Sequence, residues 1–422
     1  MVILLRIGFS EIDITPSPGF PLGGYLERYL NENKATGTLN DIFADVTYFD
    51  EDDGLIIISL ETIAVEDKFY ERIYRLVRKH GVRYLILAAT HTHSAPETIL
   101  NFPFFKRFAL KYKSKIEEYL NFLEDKIKLA VEDAVNNVRD EEIYMGRAKV
   151  IGACSSRINP EMGKEGIATV LRFGKRVILQ YACHPTVLSA KNMMYSGDFF
   201  SYTRDAIKKV ISNALILNGA AGDLSTRFVR REQTPKEAER IGKIVAMGVI
   251  EAIKNSKEIK GEISMGSIKL SLVRRDLEKE NLEEKLRKKI ETAEEELRRE
   301  HDPGRRRKLE NEIFVGKFLL EHIREFSKEL KRLPSILEIE SIFFRLEELG
   351  FVSLPFELYS SLGKIIYDNA KALVIGYAND YFGYAPTKDA YEELDYEAMA
   401  SIISAGEAER MAERIAKEMR EI

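Results

Sequence analysis

Four runs of nearly unbroken apolar residues, each closed by polar ones, constrain this 422-residue chain more than any other feature. They are YLILAAT (84–90), VILQYACH (177–184), ALILNGAAGDLS (214–225) and ALVIGYANDY (372–381). Runs of this length without alternation predict strands buried on both faces. A further run, LIIISL (55–60), precedes the first of them, and the stretch between has apolar positions at Phe69, Ile73, Leu76 and Val77. That order predicts a βαβ unit. Ligands of open α/β sheets bind outside the carboxyl ends of strands, so four polar endings predict one shared cleft. The fold class expected is α/β: mixed, largely buried β-sheets flanked by helices.

From about residue 275 to 333 the texture changes to densely charged helix. Leu282, Leu286, Ile290, Ala293 and Leu297 trace one apolar stripe, and Ile313, Phe318, Leu319, Ile323, Phe326 and Leu330 trace a second. His301-Asp302-Pro303-Gly304 breaks the helix between them, which predicts an antiparallel helical hairpin over 275–333 inserted into a single domain spanning 1–422. Such a hairpin can be a lid, a dimerisation arm that makes a homo-oligomer, or an element folded on its own domain with a solvated charged face. The basic run 305–308 fits that solvated face.

A 45% hydrophobic content supports a sizeable core. Charged residues make up 31% of the chain, yet the net charge is only −4, so no basic field recommends nucleic acid as a partner. The charged residues, the scarcity of glutamine (Gln180 and Gln233) and the absence of tryptophan resemble thermophile composition. Cys154 and Cys183 stand far apart without C-x-x-C spacing, which argues against a disulfide framework and for a reducing compartment. The apolar start is too short for a signal-peptide core and no run spans a bilayer, so a cytoplasmic protein is expected.

Three of the six histidines lie in Thr90-His91-Thr92-His93-Ser94 and Cys183-His184-Pro185-Thr186, each at the end of a strand-like run. Residues i and i+2 of an extended segment point the same way, so His91 and His93 can reach one cavity, with His184 joining from a neighbouring strand. Catalytic zinc sites use about three protein ligands and leave a position for water. His91 and His184 supply two, and Glu357 is a candidate third.

The motifs then resemble those of the neutral/alkaline non-lysosomal ceramidases, zinc-dependent amide hydrolases. ATHTHSAP (89–96) is similar to that family's A-T-H-T-H-S-G-P. YACHPT (181–186), Ser196-Gly197-Asp198 and Gly222-Asp223-Leu224-Ser225 follow in order. LPFE ending at Glu357, NDYFGYAPT (379–387) and Tyr396-Glu397-Ala398 complete the series, with Gly24-Tyr25 and GTLNDIFAD (37–45) near the start. The chain is too short to add the C-terminal immunoglobulin-like domain of the long ceramidases.

By that resemblance His91, His184, Glu357 and Tyr384 hold Zn²⁺, and the zinc lowers the pKa of its water toward about 7 and polarises an amide carbonyl. His93 and Tyr396 are implied as donors to the oxyanion, although His93 can equally orient a ligand. Ser225 is a nucleophile or a positioning hydroxyl, and without an adjacent base the second is preferred. Asp198 and Asp223 are expected as carboxylates behind the ligands, and Arg157 as a contact to the substrate carbonyl or a neighbouring oxygen. Glu97-Thr98-Ile99 replaces the family's glycines and Thr226 replaces a proline, so the pocket shape differs.

The function expected is zinc-dependent hydrolysis of an amide bond in a small N-acyl substrate, which need not be ceramide. Alternatives are an ester or phosphoester hydrolase, or a scaffold in which zinc only stabilises the fold. An amidohydrolase barrel is disfavoured because His301 and His322 lie in the charged hairpin.

Overall fold

The apolar runs form the parallel strand pairs of three separate sheets. The computed structural model describes residues 4–31 and 33–422, apart from the side chains at 303, 304, 307, 308 and 311. In the first sheet β1 (Leu5–Asp13), β2 (Phe43–Phe49), β3 (Leu55–Leu60) and β4 (Tyr84–Ala89) run in the order β4-β3-β2-β1, with Arg139–Glu141 on the far edge. The second sheet contains β5 (Ile143–Ile151), β6 (Glu165–Phe173), β7 (Arg176–Tyr181) and β8 (Asn213–Asn218) in the order β8-β7-β6-β5, edged by Lys257–Glu258. The third is β9 (Ile263–Val273), β10 (Ile336–Leu346), β11 (Leu349–Ser353) and β12 (Ala372–Ile375), in chain order.

Each sheet is antiparallel except for one pair: β3 with β4, β7 with β8 and β11 with β12 are parallel. A parallel pair needs a crossover. The three crossovers carry helices Asp67–Val77, Phe199–Ile207 and Ser360–Ala370. The βαβ unit read over 55–90 is therefore one of three, and the mixed α/β class stands.

Two cores explain why the strands do not alternate. Ile56, Ile58 and Leu60 of β3 face helices Asp67–Val77 and Lys113–Asn136, whereas Leu55 and Ile57 enter a core shared by all three sheets. In β8, Ala214 and Ile216 face helices Phe199–Ile207 and Pro235–Lys254, while Leu215 and Leu217 turn to the shared core. Burial of one such Leu or Ile side chain favours folding by about 1.5–3 kcal/mol. With apolar partners on both sides, no position in these strands favours a polar residue.

The charged segment folds into helices Leu282–Arg299 and Pro303–Leu330, which pack on each other after a three-residue turn. Their stripes, including Leu282, Leu286, Phe318 and Ile323, are buried in the main core. Asp302 caps the second helix by accepting from the Arg305 amide at 2.7 Å. Arg306 donates to the Leu297 and Glu300 carbonyls at the end of the first. Of the basic run 305–308, the side chains of Arg307 and Lys308 lie outside the described residues. Buried Arg275 roots the hairpin by pairing with Glu280 at 2.8 Å and donating to the Ala398 carbonyl. The hairpin thus has its apolar faces on its own chain.

One expectation is overturned. Cys154 and Cys183 form a disulfide, with Cα atoms 6.1 Å apart despite a separation of 29 residues. β5 and β7 both run antiparallel to β6, so their carboxyl ends emerge at the same edge, and the cysteines follow those ends. Separation along the chain is no guide to separation across a sheet. A disulfide also runs against the reducing compartment expected from cysteine spacing. Among the described residues no helix is long and apolar enough to cross a membrane.

Candidate metal centre

The carboxyl ends of the three parallel pairs meet, and the histidines sit there. His91 follows β4, His184 follows β7, and Glu357 follows β11. The ends are stitched together: Ala88 bridges to Ala378, the Gly376 amide donates to the Asn218 carbonyl at 3.0 Å, and His184 bridges to Ser225. One cleft does gather all four polar strand endings. It belongs to three sheets, however, not to the edge of one.

His91 and His93 reach the same space by a different route from the one strand geometry suggests. β4 ends at Ala89, and His91 has a left-handed backbone with φ 68°. This conformation is uncommon for a residue with a side chain, and it turns the imidazole inward. His93 is then seated against Gly24, whose φ is +90° and where a Cβ would come within 2.5 Å of the imidazole. That is the physical use of the Gly24-Tyr25 motif, with the Tyr25 ring edge-on to His93 at 4.8 Å.

His91 and His184 present the same nitrogen. Nδ1 of His91 lies 2.7 Å from the Ile63 carbonyl, and Nδ1 of His184 lies 2.7 Å from that of Ala221 and 3.0 Å from that of Leu224. Carbonyls only accept, so each Nδ1 carries the proton and each Nε2 exposes a lone pair. The two Nε2 atoms face one oxygen of Glu357, at 3.3 Å and 2.8 Å. The Tyr381 hydroxyl donates to the other at 2.5 Å. His91, Glu357 and His184 are 2%, 1% and 0% exposed.

Lone pairs converging on a buried carboxylate, with no donor between them, fit a cation. His93 adds to this, because neither of its ring nitrogens has a hydrogen-bond partner among the described residues. Ligand atoms of His91, His93 and His184 lie within 4.8 Å of one another. Imidazole nitrogen with carboxylate oxygen is a donor set suited to zinc and to other first-row ions.

The titration directions agree with this. Burial pushes the Glu357 carboxyl up, and it is held well below the usual carboxylate range when the facing imidazole nitrogens bear positive charge, the place a bound cation would take. Burial, aided by Arg157, lowers His184 to about 4. Burial, and then the crowding of His91 and His184, which disfavours a further positive charge, holds His93 well below its usual value. Neutral imidazoles and an ionised carboxylate are the forms that bind metal. Burial, then Glu357, raises the Tyr384 phenol well above its ordinary range. Only a nearby cation would favour its phenolate.

The other expected residues fall into two groups. Tyr384 pairs in register with Glu357, and its hydroxyl is 3.5 Å from Arg157 Nη2. Arg157 is held by Glu397 at 2.9 Å and by the Gly222 carbonyl. Tyr396 stands edge-on to Tyr384 at 5.8 Å. Ser225 is buried, and its Oγ accepts from the Arg227 amide at 3.2 Å. These side chains gather round the imidazoles.

Asp198 and Asp223, expected as carboxylates behind the ligands, make their hydrogen bonds to other groups among the described residues. Asp198 accepts from the amides of Val187, Leu188 and Phe199, tying the loop after His184 to a helix start. Asp223 accepts from the amide and hydroxyl of Ser360 at 2.6 Å and 2.9 Å. Backbone carbonyls hold the imidazoles, so no carboxylate is needed there.

Sequence reasoning missed three residues. Asn218, fully buried at the end of β8, donates to the Thr90 and Cys183 carbonyls at 3.0 Å and 3.2 Å and accepts from the Cys183 amide at 3.1 Å. It therefore clamps the residue before each of His91 and His184. Tyr377 stacks on His91 at 4.1 Å, and Tyr381 orients Glu357. Asn218 and Tyr377 stand late in or just past apolar runs, and Tyr381 is the first tyrosine of the NDYFGYAPT motif, where no role was assigned to it.

The pocket at these residues is small, about 20 Å³, and its apolar side is made by Tyr29, Ile63, Ile99, Phe102 and Phe105. A much larger groove of about 810 Å³ lies on the hairpin between Leu282, Arg287, Ile323 and Lys328, and none of the site residues lines it. Chemistry, not size, locates the functional site.

No protein-family model and no curated protein matches the chain. Solved structures do, among them two ceramidases. One is a ceramidase complexed with C2, with a TM-score of 0.72 at 16% identity, over 99% of this chain and 76% of that one. The other is the neutral ceramidase from Pseudomonas aeruginosa, with the same score and identity over 99% of this chain and 74% of that one. The chain has the fold of the neutral ceramidases.

Proposed function

We propose that the protein is a zinc-dependent hydrolase that cleaves the amide bond of a small N-acyl substrate. The observation that carries this reading is the convergence of His91 Nε2 and His184 Nε2 on one oxygen of buried Glu357, with no donor among them. The ceramidase fold, shared over 99% of the chain, supports amide as the bond cleaved.

His91, His184, Glu357 and Tyr384 would hold the ion, and His93 stands in the same cluster. When bound there, zinc supplies Lewis acidity, which acidifies water and polarises a carbonyl. The protein's own groups do the rest. The Ile63, Ala221 and Leu224 carbonyls keep both imidazoles in the tautomer that offers Nε2. Tyr381 fixes the rotation of Glu357.

His93 is held neutral by its burial, and neither ring nitrogen has a hydrogen-bond partner among the described residues, so one nitrogen can donate to a developing oxyanion. The Tyr396 hydroxyl is a second donor on the same pocket wall. Arg157, anchored by Glu397, keeps positive charge beside the Tyr384 oxygen and so favours its phenolate. Ser225 acts as a positioning hydroxyl, because its Oγ accepts from a backbone amide and is not paired with an imidazole base.

The test is hydrolysis of a panel of N-acyl amines, amino acids and sphingoid bases by protein freed of metal and reloaded with zinc. Amide cleavage that is lost with a chelator and restored by zinc is expected. Cleavage confined to esters or phosphoesters would contradict the reading.

A further inference from the structure

The small pocket is closed on its apolar side by two rings, Phe102 and Phe105, which are 4% and 8% exposed. Its volume of about 20 Å³ admits a group the size of a water molecule or a methyl. Resting on the amide-hydrolase reading, we propose that the substrates carry a short acyl group, acetyl-sized and not a fatty chain, and that Phe102 and Phe105 set this limit.

The wall is built to stay in place. Phe102 fills the hollow over Gly383, where a Cβ would lie 2.5 Å from the ring, and it meets Tyr381 edge-on at 5.0 Å. Phe105 stacks on Tyr29 at 5.0 Å, and the Tyr29 hydroxyl donates to buried Glu97. Beneath the rings, the Glu66 carboxylate accepts from the amides of Leu100, Asn101 and Phe102 at 2.6–3.0 Å. The segment is therefore fixed through its backbone as well as through its side chains.

The hairpin closes the far side. Phe104 packs edge-on against Phe326 at 5.3 Å, and Phe108 stacks on Phe318 at 5.6 Å. Lys106 pairs with Glu329 at 2.9 Å. The aromatic segment turns one face to the site and the other to the hairpin, so a channel deep enough for a fatty chain would require both to separate. An enzyme that buries such a chain gains about fourfold in affinity for each methylene. With the rings in place this pocket offers about 20 Å³ in which to make that gain.

The experiment uses the full-length, zinc-loaded protein with one amine acylated in turn by acetyl, butanoyl, octanoyl and dodecanoyl groups. We expect kcat/KM to fall by about tenfold or more from acetyl to octanoyl, the loss of roughly two methylenes' worth of binding. Phe102→Ala and Phe105→Ala should each raise the octanoyl-to-acetyl ratio by a similar factor. Phe102→Leu provides a milder variant if alanine disturbs folding.

Fastest turnover of the dodecanoyl amide by the unaltered protein, or a ratio unmoved in all folded variants, would overturn the proposal. If no amide is cleaved at all, the hydrolase reading fails separately. Calorimetric binding of acetate, butanoate, octanoate and dodecanoate to the zinc-loaded protein then still reads the pocket. Affinity flat or falling with length supports the short-acyl limit, and a rise of about fourfold per methylene contradicts it.

Discussion

The strand ends around His184 and the helical hairpin are both rich in groups that can ionise, yet they use them in opposite ways. On the hairpin, pairs such as Lys317–Glu294 at 2.6 Å and Arg287–Glu283 at 2.8 Å stand in water, with side chains between 35% and 59% exposed. Around Glu357 the charged and polar atoms are buried, and three sheets are needed to bring them together. Solvated charges keep a surface soluble and specify little, whereas buried ones must have partners and so fix where the backbone goes. Reactive chemistry belongs to the second region.

The largest expected effect lies at the ligands. His184→Ala should abolish stoichiometric zinc binding and lower amide kcat/KM by on the order of a thousandfold, because a Lewis acid contributes several kcal/mol to such a reaction. Metal analysis and kinetics on the folded variant check it, and retained zinc would place the ion elsewhere. The disulfide behind His184 comes next. Replacing Cys154 and Cys183 by serine should destabilise the protein by roughly 3–4 kcal/mol, read from denaturant unfolding, if the bridge constrains the unfolded chain as loop-closure entropy suggests. An unchanged midpoint would show that the strand pairs alone hold that edge.

A pH test addresses the loop after His93. Burial raises the Glu97 carboxyl to about 7, against hydrogen bonds from Tyr29, Ile99 and Thr98 that favour the charged form. The folded state therefore binds a proton more tightly than the unfolded one. The stabilisation from this group is complete below about pH 4.5 and is lost as pH rises toward about 7, a change of up to about 3 kcal/mol. Glu97→Gln should flatten that part of the stability–pH curve, and an identical slope in both proteins would contradict the assignment.

Asn218→Leu should weaken zinc binding by roughly 10–100-fold, the range for groups that orient ligands. Competition with a chelator measures it, and an unchanged affinity would mean that the Thr90 and Cys183 backbones hold without the clamp. At the small end, Lys317→Ala on the hairpin should change stability by less than about 0.5 kcal/mol and leave zinc affinity alone. A larger effect there would break the contrast between the two regions.

What the sequence made legible follows the same division. Strands such as Ile56–Ile58 could be read because burial on two faces removes alternation, and the hairpin stripes because a single period of 3.6 governs them. His91, His184, Glu357 and Tyr384 stood out through their motifs. Asn218 did not, and Tyr381 lay in a motif without an assigned role, since what they do depends on contacts 128 and 24 residues away that no local pattern records. The Cys154–Cys183 bridge was missed for the same reason. Asp198 and Asp223 were expected as carboxylates behind the ligands; their hydrogen bonds run to the Val187, Leu188, Phe199 and Ser360 groups, and carbonyls face the His91 and His184 Nδ1 atoms.

The central claim is that three sheets deliver one zinc site at the ends of their parallel strands. Measuring bound zinc per chain, after reconstitution and exhaustive dialysis, in the unaltered protein and in folded His91→Ala tests it most directly. One zinc per chain in the first and near none in the second is the predicted result. No retained zinc in the unaltered protein, or an equal content in both, would contradict it.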